Sequence, residues 1–195
     1  MIMIEMVRPS GSLRTQAQAN ATLHQTLVFL NDKIELDIDP AAVQIRLVPG
    51  VRLWGGLGVG RCETTQCGSK YTAVIELKEG LACDFAVVAL THELTHFWMN
   101  SNKIAPSLLF PDSQKKNAEN LDETICELMG AIAAQAMRCD RIEYQQLQSA
   151  KQYANGFGRG CQAVLSSHID KAITLHSSIA GALMGRYLCR LNLSR

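Results

Sequence analysis

The chain has 195 residues, 47% of them hydrophobic and 19% charged, with a formal net charge of +1. That length suffices for one domain with a sizeable core. The near-neutral balance excludes an electrostatic case for binding nucleic acid or an anionic membrane surface. No apolar run reaches a membrane span. The start, Met1-Ile2-Met3-Ile4-Glu5-Met6, carries an acid where a signal peptide needs basic residues and a long apolar stretch, so a cytoplasmic location is expected.

In chain order, Leu13, Ala17, Ala21, Leu23, Leu27 and Leu30 recur at helical spacing and predict a first helix over 12–30. Val43, Ile45 and Leu47 alternate, which predicts a strand from Ala42 to Pro49. Residues 49–61 hold five glycines and read as loop and short strand; Gly56-x-Gly58 lacks a phosphate-loop lysine and reads as a tight turn. Tyr71, Ala73, Ile75 and Leu77 predict a second strand ending at Lys78. A helix over 82–100 follows, then a polar loop over 101–117 with Pro106, Pro111, Lys115 and Lys116. Leu121, Ile125, Leu128 and Ile132 place a stripe on a helix from Asn117 to Met137. Another helix is predicted over 141–155, and a long region rich in small residues over 159–190 is helical with one break. Strands in front and helices behind indicate an α+β fold. The single domain then has an α/β part over about 1–102 and a helical part over about 117–195.

The helix over 82–100 carries His92-Glu93-Leu94-Thr95-His96, an H-E-x-x-H motif. Residues i and i+4 lie on one helical face, so the two imidazoles can share a tetrahedral metal. Glu93, at the edge of that face, can take a proton from a water on the metal. Phe85-Ala86-Val87-Val88-Ala89-Leu90 upstream and Phe97-Trp98-Met99 downstream make the helix apolar on nearly all sides, hence buried. Two histidines and a glutamate buried without partners or metal cost several kcal/mol, so the surroundings favour a metal, with Zn²⁺ the expected ion.

A catalytic zinc takes three protein ligands and leaves one position open. The third is sought in Asp122-Glu123-Thr124-Ile125-Cys126-Glu127. Glu123 is the expected ligand, with Glu127 one turn later to hold a ligating histidine from behind, the arrangement of glutamate zincins. Asp122 and Glu119 compete for the ligand role without offering the same i+4 support. A second electrophile for the oxyanion is available in Tyr153, His168 or His176, with Tyr153 favoured; His24 reads as structural or exposed. The seven cysteines are scattered and odd in number, which suits reduced thiols, while Cys62-x4-Cys67 is the one close pair and is compatible with half a zinc knuckle or a redox pair.

Three blocks resemble the C-terminal peptidase domain of the ubiquitin-dependent LIM-type peptidases that limit organ size in plants, the DA-one family. They are Tyr71-Thr72-Ala73-Val74-Ile75-Glu76-Leu77-Lys78-Glu79-Gly80-Leu81, then Leu121-Asp122-Glu123-Thr124-Ile125-Cys126-Glu127, and finally Tyr153-Ala154-Asn155-Gly156-Phe157 with Gly160-Cys161-Gln162-Ala163-Val164-Leu165. Against the family pattern, Asp122 replaces a glutamate, Thr124 a glycine, Asn155 an aspartate and Cys161 an asparagine; none of these is an expected zinc ligand. The resemblance implies a zincin-like (gluzincin) fold and a peptidase acting on a protein or peptide substrate. The ubiquitin-interacting motifs and LIM domain of the plant proteins have no counterpart in this sequence. The resemblance therefore extends to a stand-alone core and does not carry ubiquitin-dependent activation with it.

The reading is a zinc metallopeptidase with Glu93 as general base, and the strand over 71–78 as an edge on which an extended substrate pairs. Two other classes remain open: a zinc-stabilised protein-binding module with lost or latent activity, and a redox-sensing thiol protein built on Cys62 and Cys67. The presence of Glu93 favours the enzyme.

Overall fold

The first helix, α1, runs from Gln16 to Ile34, later at both ends than its apolar spacing predicts. Its start is set by a capping box: the Thr15 hydroxyl accepts from the Gln18 N–H at 3.2 Å, and the Gln18 side-chain oxygen accepts from the Thr15 N–H at 3.1 Å. Its end is set by Glu35, whose φ of 62° turns the chain out of the helix. The computed structural model describes residues 4–49, 59–158 and 160–193. The Gly56-x-Gly58 turn lies outside the described residues.

After α1 come three strands, β1 (Val43–Val48), β2 (Gly60–Cys67) and β3 (Lys70–Lys78), in the sheet order β1-β3-β2. β1 runs parallel to β3, with Val43 opposite Ala73, and β2 runs antiparallel to it, with Cys62 opposite Ile75. β2 and β3 join through a two-residue turn at Gly68-Ser69, where φ of +63° at Gly68 suits the twist of a tight hairpin.

Two sequence expectations change here. The strand over 71–78 is central, so its backbone is already paired on both sides and offers no edge to a substrate. The sheet edges are β1 and β2, and it is β2, read from the sequence only as loop, short strand and a cysteine pair, that borders the cleft. Cys62 and Cys67 stand five residues apart on this extended strand, roughly 16 Å from end to end. Their side chains leave on opposite faces and both thiols are free, so they form neither a knuckle nor a disulfide.

The chain then turns at Gly80 (φ +79°) into α2, Cys83–Ser101. Hydrogen bonds from Gly80 N to Leu13 O (2.7 Å) and from Leu13 N to Leu81 O (2.8 Å) fix this entry. Arg8 reinforces it by pairing with Asp84 in the first turn at 2.6 Å. The loop over 101–117 contains a short helix α3, Pro106–Leu109, and leads into α4, Lys115–Ala136. α5 (Asp140–Gly156) packs back along α4.

The last region begins as α6 (Cys161–His168) and widens into a π-helical turn at Ile169–Ile173, continued by α7, Thr174–His176. It breaks once, at Ser177, where φ of −157° and ψ of 108° are extended. Ser177 caps the final helix α8 (Ser178–Leu188) by accepting from the Ala180 N–H, and donates to Ile34 O at 2.6 Å. The fold is α+β, a small three-stranded sheet with a mostly helical remainder. One continuous core joins the inner faces of α1 and β3 to α2, α4 and α8. Among the described residues no helix is long and apolar enough to cross a membrane.

Candidate metal centre

α2 crosses α4 so that the polar stripe of one faces the polar stripe of the other across an otherwise apolar contact. On α2 the neighbouring threonines turn away: Thr91 and Thr95 are buried and donate to Val87 O and Thr91 O of their own helix. His92 and His96 instead point toward α4, their Nε2 atoms 3.2 Å apart and their rings meeting edge to face at 67°. From α4, Glu123 Oε2 lies 3.3 Å from His92 Nε2 and Glu123 Oε1 lies 3.5 Å from His96 Nε2.

These separations bear on a metal directly. Donors each about 2.0–2.1 Å from a tetrahedral zinc stand about 3.3–3.4 Å from one another. The His92 and His96 nitrogens, 3.2 Å apart, have close to that spacing, and each faces a different oxygen of the Glu123 carboxylate at 3.3 and 3.5 Å, so the donor types present suit the ion. A second donor set overlaps the first: ligand atoms of His92, His96 and Cys126 lie within 4.8 Å of one another, a group that could hold a metal ion. Cys126 is also fully buried behind the cleft, where burial, then the charges of Glu123 and Asp122, push its thiol well above the ordinary range. Glu123 is therefore the better-placed third donor.

Glu127 comes from one turn further along α4. Its Oε1 accepts from Ser149 Oγ of α5 at 2.9 Å and lies 3.8 Å from His92 Nδ1, the ring nitrogen facing away from Glu123. Its Oε2 is buried with no hydrogen-bond partner among the described residues. Burial raises its pKa, against the lowering effect of His92 and Ser149.

Opposite pulls act on the donors themselves. Burial works against a charged His92, but the hydrogen bond to Glu123 and the fields of Glu93, Glu127 and Glu123 outweigh it and lift its pKa to about 9. Burial likewise disfavours an ionised Glu123, yet its contacts with His92 and His96 hold it well below the usual carboxylate range.

The cleft over these groups has a volume of about 650 Å³. Its walls include His92, Glu93 and His96 from α2, Glu123 and Glu127 from α4, Gln146 and Tyr153 from α5, and Gly60 and Cys62 from β2. Glu93 lies close to the sheet edge, and burial raises its pKa against the lowering effect of His92 and His96. The approach is close enough to need a glycine: a Cβ on Gly60 would stand 3.2 Å from Glu93 Oε1 and 3.0 Å from Leu77 Cδ2.

No protein-family model, curated protein or solved structure matches the chain.

The other candidates divide by placement. Tyr153 is half-buried in the cleft, its pKa raised by burial and then by Glu123 and Glu127. His168 and His176 are not in the cleft. His168 is buried at the end of α6, and His176 is exposed with its ring against Trp98, centroids 6.4 Å apart. His24 is exposed on α1. Asp122 turns to the loop, accepting from Ser107 N at 3.2 Å, and Glu119 is exposed beside Lys115 at 4.0 Å, so neither competes with Glu123. Sequence reasoning missed Ser149, Gln146 and the whole β2 wall. Nothing in the spacing of α5 distinguishes Ser149 from its neighbours, and β2 has only one face partly covered, so it shows no run of alternating apolar residues.

Proposed function

We propose that this chain is a zinc-dependent metallopeptidase with a zincin-like, gluzincin-type site. The observation that carries the proposal is the convergence of His92, His96 and Glu123, with contacts of 3.2–3.5 Å, beside the half-buried Glu93 in a cleft. Zinc supplies Lewis acidity when bound, lowering the pKa of a water toward about 7 and polarising a carbonyl.

The chain's own residues supply the rest. His92, His96 and Glu123 hold the ion, and Glu127, tied to Ser149, fixes the His92 ring from behind. Glu93 accepts the proton of the attacking water on its carboxylate and returns it to the leaving amine. Its raised pKa suits a group that must both accept and release a proton near neutrality. The Tyr153 hydroxyl, across the cleft on α5, donates a hydrogen bond to the carbonyl oxygen as charge develops there. The blocks that resemble the DA-one peptidase domains favour a protein or peptide over other carbonyl substrates.

The second reading is a zinc-stabilised protein-binding module, and Cys126 is the observation that favours it. If its thiol joined Glu123 and the two histidines, the site would be closed, as structural zinc sites are. Metal analysis of the purified chain, combined with cleavage of a peptide library before and after chelation, tests the proposal. One zinc per chain and chelator-sensitive cleavage restored by zinc support the peptidase. One zinc per chain with no cleavage of any peptide supports the module.

A further inference from the structure

β2 begins with a glycine, and glycine weakens a strand because it packs no side chain and loses the most chain entropy on ordering. The backbone does not ask for it: φ at Gly60 is not positive, so any L residue fits the conformation. A glycine of this kind marks a place where another group comes close. Two side chains do so here. Glu93 of α2 lies along Gly60, and an added Cβ would stand 3.2 Å from its Oε1 and 3.4 Å from its Cγ. Leu77, the partner of Gly60 across the β2–β3 pair, would meet the same Cβ through Cδ2 at 3.0 Å. Leu77 is fully buried in the core, whereas Glu93 lines the cleft. Room for a side chain at position 60 therefore comes from Glu93, whose carboxylate has the cleft to move into.

We propose that Gly60 is a positioning residue for the general base: having no side chain, it lets the Glu93 carboxylate rest against β2 and so sets its distance from the attacking water and the scissile carbonyl. The proposal rests on the peptidase reading of the metal centre. A contact of 3.2 Å is inside the 3.4 Å at which ordinary van der Waals contact begins, so a methyl group at position 60 displaces the carboxylate by a few tenths of an ångström. A misplacement of about 1 Å costs about 10²-fold in rate, and a shift of this size therefore costs about 3–10-fold. The loss falls on kcat, because the base acts in the transition state and does not hold the substrate.

The test is a double-mutant cycle of Gly60→Ala and Glu93→Ala on the zinc-loaded full chain. Two quantities are read: cleavage of a susceptible peptide, and calorimetric affinity for acetohydroxamate, which chelates the zinc and gives its hydroxyl proton to Glu93 without turnover. Gly60→Ala is expected to retain one zinc, to lower kcat about 3–10-fold at unchanged KM, and to weaken acetohydroxamate by a similar factor. In the Glu93→Ala background the same substitution should leave acetohydroxamate affinity unchanged, since no carboxylate remains to be displaced. An equal loss in both backgrounds assigns Gly60 to the strand itself or to substrate contact and overturns the proposal, as does wild-type behaviour of Gly60→Ala; either result leaves the peptidase reading standing. If Gly60→Ala melts well below the wild type, the cycle is run on Leu77→Val, which lacks the Cδ2 contact. The same dependence on Glu93 is expected there, and its absence overturns the proposal. A zinc-loaded wild type that neither cleaves nor binds acetohydroxamate overturns the peptidase reading and the proposal with it.

Discussion

Two residues on one face of α4 compete for the same ion, and their chemistry sets different outcomes. Glu123 is ionised already and stands at 3.3 and 3.5 Å from the histidine nitrogens, whereas the Cys126 thiol is buried and held in its protonated form. Replacing His96 by Ala should abolish stoichiometric zinc, and so should Glu123→Ala. Cys126→Ser should retain one equivalent. Cobalt substitution gives an independent readout: with Glu123 as the third ligand, the near-ultraviolet thiolate-to-cobalt charge-transfer band is absent, and a strong band lost in Cys126→Ser would transfer the ligand role to the cysteine. Glu127 acts one bond further away. Its carboxylate faces His92 Nδ1 and is itself fixed by Ser149, so Glu127→Ala should weaken zinc binding by about 10–100-fold without changing the stoichiometry. A competition titration against a chelator of known affinity measures this, and an unchanged affinity would make Glu127 a bystander.

At the scale of elements, α5 and α8, which both pack on α4, are tied to each other by a polar clamp that the sequence does not announce. Glu143 of α5 is buried and accepts from the Tyr187 hydroxyl of α8 at 3.0 Å and from Arg190, whose guanidinium also lies over the Tyr187 ring. Glu143→Ala would leave the buried Tyr187 hydroxyl without an acceptor, which costs about 1–3 kcal/mol. Arg190 is half-exposed and adds little to that loss. A denaturant midpoint for this variant that matched the wild type would show the clamp to be dispensable. The elements that were legible in the sequence are those with one apolar face and a strong period. β1, β3, α2, α4 and α5 fall within a few residues of their predicted bounds because each buries such a face in the core. That His92 shares a face with His96, and Glu123 with Glu127, was legible because i+4 spacing fixes two side chains on one face before any fold is known. β2 was not, because an edge strand with Arg61, Glu63, Thr65 and Gln66 in its sequence lacks that period. With it went the sheet order, and so the identity of the edge that faces the cleft. His168 and His176 could not be separated from Tyr153 by spacing alone: all three lie in the helical half, and only the way α5 packs on α4 brings Tyr153 to the metal donors.

For the whole molecule, the candidate site is a bridge between the helix that follows the sheet and the helix that begins the α-helical half. An ion held by His92, His96 and Glu123 would cross-link α2 to α4, so chelation should lower the melting temperature; zinc at 100 times its dissociation constant contributes about 2.7 kcal/mol. The pH dependence has a definite sign. His92 in the metal-free chain has its pKa raised to about 9, so its ion pair with Glu123 contributes fully below its unfolded value near 6.5. That contribution is lost as pH rises through about 9. Thermal unfolding of the chelated chain should therefore show stability falling across that window. Zinc affinity should move the other way, rising about tenfold per pH unit until the His92 proton is gone. The peptidase reading itself meets its most direct test in Glu93→Gln. Glutamine keeps the shape of the side chain and cannot accept the proton, so the variant should carry one zinc, fold as the wild type does, and cleave a susceptible peptide about 10²–10⁴-fold more slowly. Equal cleavage by wild type and variant at equal zinc content would contradict the assignment of Glu93 as the base and the proposed function with it.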